Sequence, residues 1–313
     1  MIVEATKPTI AEAARNLIQG QLVAFPTETV YGLGADARNG EAVAAIFALK
    51  RRPSFNPLIV HVTDRDMAAR YCQLSDTAER LIEAYWPGPL TIIAVQSAEC
   101  GIASLATAGL KTVALRAPAH PTAQQLLQAA QCPIAAPSAN VSGYISPTRA
   151  DHVEADLGDG PSIILKGGPA CGGLESSIID TTLDPPELLR SGMILALDIG
   201  RFLGLNLTAK QSGEIRAPGQ LASHYAPRAK LRLNAFNPRS GEALLAFGPK
   251  PPAGAEFSIN LSVSGNLQEA AANLFNALRE LDLQNADAVA VMPIPAHGLG
   301  IAINDRLTRA AAQ

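Results

Sequence analysis

Residues 162–190 read SIILKGGPACGGLESSIIDTTLDPPELLR. Three short runs, SIIL (162–165), SIID (177–180) and ELLR (187–190), follow one another across connections rich in glycine, proline and threonine. Each has the length and apolar content of a strand, and no helical repeat separates one from the next. A regular parallel sheet needs a crossover of a dozen or more residues, usually helical, between successive strands. These residues therefore predict a mixed, twisted α/β sheet.

Working outward, helices and strands alternate. Thr9 and Glu12 form a capping box with Pro8 just outside, and Ile10, Ala13, Ala14, Leu17 and Ile18 recur at helical spacing up to Gly20. QLVAF (21–25) is a strand, and PTETVYGLGADA (26–37) reads as a functional loop. Helices are predicted over 41–50, 64–72, 75–85 (capped by Ser75), 121–130 and 148–157. PLIVHV (57–62), LTIIAV (90–95), TVALRA (112–117) and PIAA (133–136) are strands. Residues 206–230 are polar, basic and rich in Gly, Pro and Ser, the composition of a linker. Beyond them LRL (231–233), ALLAF (243–247) and AVAVM (288–292) alternate with helices over 267–281 and 299–311, a small βαβ-type unit. The expected organisation is a catalytic domain over 1–205, a linker over 206–230 and a small α/β domain over 231–313.

Composition excludes several functions. With 48% hydrophobic and 17% charged residues in 313, the chain has material for real cores and is not disordered. Aromatics at 4% rule against a stacking platform for single-stranded nucleic acid. Residues 1–210 carry 16 Lys and Arg against 20 Asp and Glu, so a broad duplex-binding face is disfavoured and any anion site is a local pocket. Cys72, Cys100, Cys132 and Cys171 form no C-x-x-C pair, and no His lies at ligand spacing, so no protein metal site is expected. The reading is of free thiols in a reducing, cytoplasmic setting, with no leader and no membrane span.

The chemistry-bearing segments are loops at strand ends. No Walker loop, G-x-S-x-G or H-E-x-x-H occurs. The G-x-G-x-x-A of Gly32–Ala37 stands six residues too far from its strand for a dinucleotide fingerprint. Lys50-Arg51-Arg52-Pro53-Ser54-Phe55-Asn56-Pro57 reads either as cations favoured at a helix C-terminus or as a phosphate clamp of point charge, fork and amide. His61 lies within the next strand. Pro137-Ser138-Ala139-Asn140-Val141-Ser142-Gly143 reads either as an ordinary capping loop or as a hydroxyl-lined anion site. The glycines of 167–173 would let backbone approach a ligand, and Arg116 and Arg190 stand at strand ends. No Ser–His–Asp or Cys–His set and no poised carboxylate pair is present. Hydroxyls, cations and amides suit nucleotidyl transfer by positioning and charge neutralisation.

PTETVYGLGADA, KRRPSFNPLIVHV, WPGPLTII, VALRAP, APSANVSGYISPT, GGLESSIID and LLRSGMI occur in that order, followed by RAPGQLASHYAPRAKL. Together they resemble the YrdC/YciO family in its long, two-domain form, the L-threonylcarbamoyladenylate synthases. The resemblance implies an open, twisted sheet with a concave site, followed by a Rossmann-like domain. It implies a reaction of L-threonine, bicarbonate and ATP giving threonylcarbamoyl-AMP and pyrophosphate, with Mg²⁺ carried on the nucleotide. It implies that a separate transferase complex then modifies tRNA beside the anticodon, with weak or indirect tRNA contact here. The family's threonine site falls on Thr29, His61, Arg116, Ala136 and Ser176, with Arg116 on the carboxylate. Its nucleotide site falls on Lys50, Arg52, Asn56, Thr112, Ser138, Ser146, Arg190 and Tyr225, of which Lys50 and Arg52 are the catalytic cations and Tyr225 places the linker as a lid. Departures are Ser177 where the family often has Thr, and Gln220 for Met. The alternative activities are an RNA-binding module of the same fold and a nicotinamide-dependent oxidoreductase.

Overall fold

The computed structural model describes residues 1–207, 216–219, 224–284 and 286–312. Readings that fall on 208–215 and 220–223, Gln220 among them, lie outside the described residues. The chain divides into two units. The first comprises Met1–Ser142, Pro147–Ala170 and Glu175–Gln220, and the second Gly143–Ser146, Cys171–Leu174 and Leu221–Gln313.

The first unit runs β1 (Ile2–Glu4), α1 (Lys7–Ile18), β2 (Val23–Phe25), β3 (Gly32–Asp36), α2 (Gly40–Lys50), β4 (Ile59–His61), α3 (Arg65–Ala68), β5 (Cys72–Gln73), α4 (Asp76–Tyr85), β6 (Leu90–Gln96) and β7 (Thr112–Arg116). It continues with α5 (Pro121–Ala130), β8 (Ile134–Ala135), α6 (Ala150–Leu157), β9 (Ile163–Lys166), β10 (Ser177–Asp180), β11 (Glu187–Arg190) and α7 (Ala196–Leu203). The sheet order is β1-β9-β2-β3-β8-β4-β7-β6-β10-β11, with β5 beside β6. Parallel pairs (β4 with β7, β6 with β10) alternate with antiparallel ones (β6 with β7, β10 with β11), so the sheet is mixed.

Three local readings change. The capping box of α1 is Thr6 with Thr9, and Pro8 lies inside the first turn, where its missing N–H costs nothing. Residues 64–72 hold only one helical turn before β5 begins at Cys72. Residues 32–36, taken as loop, are strand β3 and buried throughout. Glycine is a poor strand former, yet Gly34 is required there. A Cβ on it would lie 2.7 Å from Ile134 Cγ2 and 2.8 Å from Phe25 Cε1.

The two sheet faces are covered unequally. One carries the main core, in which Val43 and Ile46 of α2, Leu81 of α4, Val153 of α6 and Ile199 of α7 pack on Leu33, Val60, Ile92 and Leu115. On the other, α1 and α5 cover Val23, Phe25, Ile134 and Ile163 through Ala14, Leu17, Leu126 and Leu127. Farther along that face the buried cluster is small and contains no helical residue: Ile59, Ile93, Ala114, Ile178 and Leu189, with Ala217. Polar site residues stand around this bare half.

The second unit contains β12 (Lys230–Arg232), β13 (Glu242–Ala246), β14 (Ser258–Asn260), α8 (Leu267–Leu283), β15 (Ala288–Val291) and α9 (Leu299–Ala311). Its strands are all parallel in the order β12-β15-β13-β14, a Rossmann-like arrangement. Asn266 caps α8 by accepting from the Gln268 and Glu269 amides. Among the described residues, no helix is long and apolar enough to cross a membrane. Cys72, Cys100 and Cys132 are buried free thiols, and burial pushes Cys72 and Cys132 up to about 12.

Gly34→Ala forces a Cβ into atoms on both sides of β3. It is expected to destabilise the protein by about 1–3 kcal/mol, the usual range for overpacking, as measured by urea unfolding.

Candidate active site

The parallel register of β4 and β7 sets His61 opposite Arg116 and Ile59 opposite Ala114. Side chains alternate along a strand, so Thr112, Ala114 and Arg116 share the bare face with Ile59 and His61. Arg116 is 3% exposed. Its Nη1 donates to Thr29 Oγ1 (2.9 Å), its Nη2 to Glu28 Oε1 (2.6 Å) and its Nε to the Gly88 carbonyl (3.2 Å). Glu28 Oε2 in turn accepts from the Ala119 amide at 3.0 Å. Thr29 shares a hydrogen bond with Thr27 Oγ1 (2.8 Å), and Thr27 donates to the Val30 carbonyl. The His61 ring meets the Phe25 ring edge-on at 6.0 Å. Burial, and then the Arg116 cation, lower His61 to about 3, so its imidazole is neutral at pH 7. Its Nδ1 is buried with no hydrogen-bond partner among the described residues. Ala136 adjoins this strand through its amide, which donates to the Ile59 carbonyl at 2.9 Å.

Ser176, immediately before β10, joins a second buried cation. Arg190 Nε donates to the Ser176 carbonyl (3.0 Å) and Nη2 to Ser176 Oγ (3.1 Å), while Nη1 donates to the Pro218 carbonyl (3.2 Å). Ser176 Oγ also pairs with Thr91 Oγ1 at 2.8 Å. Gly88 and Pro89 tie this group to Arg116, since the Ser177 amide donates to Pro89 and Arg116 donates to Gly88. The 216–219 segment lies against the same cluster. Arg216 pairs with Asp180 and Glu187, both at 2.5 Å, and Ala217 is fully buried.

The third group forms where α2 ends. Arg51 adopts a left-handed φ of 52°, which turns the chain out of the helix. The helix C-terminus reading of the KRR run holds for exposed Arg51 only, because Lys50 and Arg52 turn inward. Lys50 Nζ donates to the carbonyls of Ser138 (2.6 Å) and Asn140. Burial, then the Arg52 cation, push it well below the usual lysine range. Arg52 donates to the Asn56 and Pro57 carbonyls at 3.1 and 2.8 Å, fixing the loop. Asn56 is fully buried, and neither Nδ2 nor Oδ1 has a partner among the described residues. Thr112 opens β7 and is half-buried, as is Ser138.

Two further residues fall in the second unit. Ser146 is fully buried there. Tyr225 has a left-handed φ of 63°, stacks on Phe275 at 5.4 Å and lies beneath Arg306 at 5.5 Å. Two of the glycines of 167–173 serve chain packing. A Cβ on Gly167 would meet Pro26 Cγ at 2.7 Å, and one on Gly173 would lie 2.2 Å from the Ala271 carbonyl oxygen. Among the described residues, no cluster of His, Cys, Asp or Glu could hold a metal ion. Glu28, Thr91 and Arg216 are polar site neighbours that sequence reading missed. Glu28 stands inside a motif already singled out, but nothing local shows that its partner is 88 residues away.

Among the described residues the site gathers buried cations, hydroxyls and an unpaired amide, groups suited to positioning and charge neutralisation. The Sua5/YciO/YrdC family model, described as "Telomere recombination", matches residues 15–192, and the model for "Threonylcarbamoyl-AMP synthase, C-terminal domain" matches 193–312. The chain belongs to this family, in the two-domain form of the threonylcarbamoyl-AMP synthases. It is 38% identical to the threonylcarbamoyl-AMP synthase of Bacillus subtilis, over 97% of this chain and 93% of the relative. It is 38% identical to that of Pyrococcus abyssi, over 96% and 93%. The crystal structure of P. abyssi Sua5 complexed with L-threonine superposes with a TM-score of 0.91 at 35% identity, covering 99% of this chain and 97% of that one.

His61 binds fewer protons folded than unfolded between about 3 and 6.5, so it makes the protein less stable as pH falls through that window. The slope approaches about 1.4 kcal/mol per pH unit. His61→Gln is expected to flatten this acid limb while leaving stability above pH 7 little changed, as read from urea midpoints between pH 4.5 and 8.

Proposed function

We propose that this chain is a threonylcarbamoyl-AMP synthase that joins L-threonine, bicarbonate and ATP into threonylcarbamoyl-AMP and pyrophosphate. The observation that carries the reading is a pair of buried polar groups without partners among the described residues: His61 Nδ1, opposite Arg116 in register, and the Asn56 amide, in the loop that Arg52 fixes. A buried polar group without a partner costs about 1–3 kcal/mol, a penalty that a bound ligand relieves. His61, Thr29, Arg116, Ala136 and Ser176 form the amino-acid end. Lys50, Arg52, Asn56, Thr112, Ser138 and Arg190 form the nucleotide end within the first unit, and Ser146 and Tyr225 are nucleotide residues by the family resemblance alone. Ser176 and Arg190 are hydrogen-bonded, so a residue of each set meets in one contact.

In the reaction Arg116 holds the threonine carboxylate, and neutral His61 and Thr29 orient its polar atoms. Bicarbonate releases CO2 and hydroxide, the hydroxide takes one proton of the threonine ammonium to form water, and the free amine adds to CO2 and passes a second proton to solvent, which leaves a carbamate. A carbamate oxygen then attacks the α-phosphorus, and pyrophosphate leaves carrying the electron pair of the broken P–O bond. Lys50, Arg52 and Arg190 neutralise phosphate charge, and the polyphosphate restores to Lys50 the charge that burial opposes. The donor set of cations, hydroxyls and amide fits Mg²⁺ held by the nucleotide's own phosphates, where it would neutralise developing charge. The family resemblance implies that a separate transferase complex acting on tRNA uses the product.

Pyrophosphate release should require threonine and bicarbonate together. Release with either omitted, or none with both present, overturns the reading. Arg116→Ala should weaken threonine at least about tenfold through loss of a charge-assisted partner, with ATP affinity little changed, as read by calorimetry.

A further inference from the structure

The Arg116–Glu28 pair has a consequence for what the pocket accepts. The side chains are 4% and 14% exposed and 2.6 Å apart. Arg116 has five N–H donors, and its bonds to Gly88, Thr29 and Glu28 use three, leaving two for a ligand carboxylate. These three bonds fix the guanidinium plane from both sides. Glu28 is fixed as well, because its second oxygen accepts from the Ala119 amide. The end of β7 thus presents two opposite charges a hydrogen bond apart. His61, opposite Arg116 in register, is uncharged at pH 7 and adds no repulsion toward a cation.

A lone buried arginine would take almost any small carboxylate. An arginine beside a rigid carboxylate matches a molecule that carries an anion and a cation on adjacent atoms. A free α-amino acid at neutral pH is such a molecule. We propose that Glu28 recognises the α-ammonium of the amino-acid substrate and makes the pocket selective for α-amino acids over carboxylic acids that lack the amine. This inference rests on the synthase reading above. The contact ends when the ammonium gives up its proton ahead of the amine's addition to CO2, since the positive charge is then lost. Glu28 therefore acts on substrate capture more than on turnover.

The test is calorimetric titration of the full chain, wild type and Glu28→Gln, with L-threonine and with 2,3-dihydroxybutyrate, in which a hydroxyl replaces the amine. ATP titration of both proteins checks that the fold is kept. Wild type should prefer threonine by at least about tenfold. E28Q should lose about 10- to 100-fold for threonine, the range of a charge-assisted hydrogen bond, and keep dihydroxybutyrate within about threefold. In steady state the loss should appear in the threonine KM, with kcat nearly unchanged. Equal loss of both ligands would make Glu28 only a prop for Arg116 and overturn the inference. So would threonine binding that survives the substitution. If E28Q does not fold, the wild-type comparison decides, because equal affinity for the two ligands is incompatible with an ammonium reader. A wild type that binds ATP but ignores threonine overturns the synthase reading and this inference together. Tight threonine binding without Glu28 dependence overturns this inference alone.

Discussion

A guanidinium buried in a sheet face must have its donors accounted for, and Arg116 organises its surroundings to that end. Its three protein acceptors come from two separate stretches, Glu28 and Thr29 after β2 and Gly88 before β6, with β7 as the anchor. Removing a buried charge's partners costs far more than an exposed pair would, so these loops are held to one geometry. Gly88 and Pro89 extend the constraint to Ser177, Ser176 and through it to Arg190. The strands do not merely carry the site. The site's charges also fix how the strand ends connect.

The same logic explains why the polar groups gather on one half of one face. Helices α1 and α5 provide apolar cover only as far as the strands around β2, β8 and β9. Beyond them the apolar cluster is small, and buried side chains such as Arg116, Arg190, Ser176 and Thr91 are held by one another and by backbone carbonyls, while His61 Nδ1 and the Asn56 amide have no partner among the described residues. Elsewhere in the first unit, cover by α2, α4, α6 and α7 leaves the strands uniformly apolar. Asymmetry of cover thus separates scaffold from site within a single sheet.

Much of this was legible in the sequence. The run of strands without helices at 162–190 predicted a mixed sheet, and β6, β7, β10, β11, α4 and α5 fall where their patterns place them. The seven ordered motifs carried the family. Glycine-rich stretches were read less well. Gly34 looked like loop and is strand, because Phe25 and Ile134 leave no room for a Cβ. Gly173 looked like ligand approach and instead packs on α8. Glycine marks a close approach, and its own sequence neighbours do not say to what.

The sequence by itself determined the long apolar strands, helices such as α4 with its Ser75 cap and α5, and the strand-end positions of Arg116 and Arg190. These depend on local pattern and residue chemistry, which act over a few positions. Only the tertiary structure decided that Lys50 and Arg52 turn inward while Arg51 stays outside, and that Ser176 meets Arg190. It alone decided that Glu28 faces Arg116. Those contacts join residues from 14 to 90 positions apart, and they are set by strand register and unequal helical cover, which no local pattern encodes.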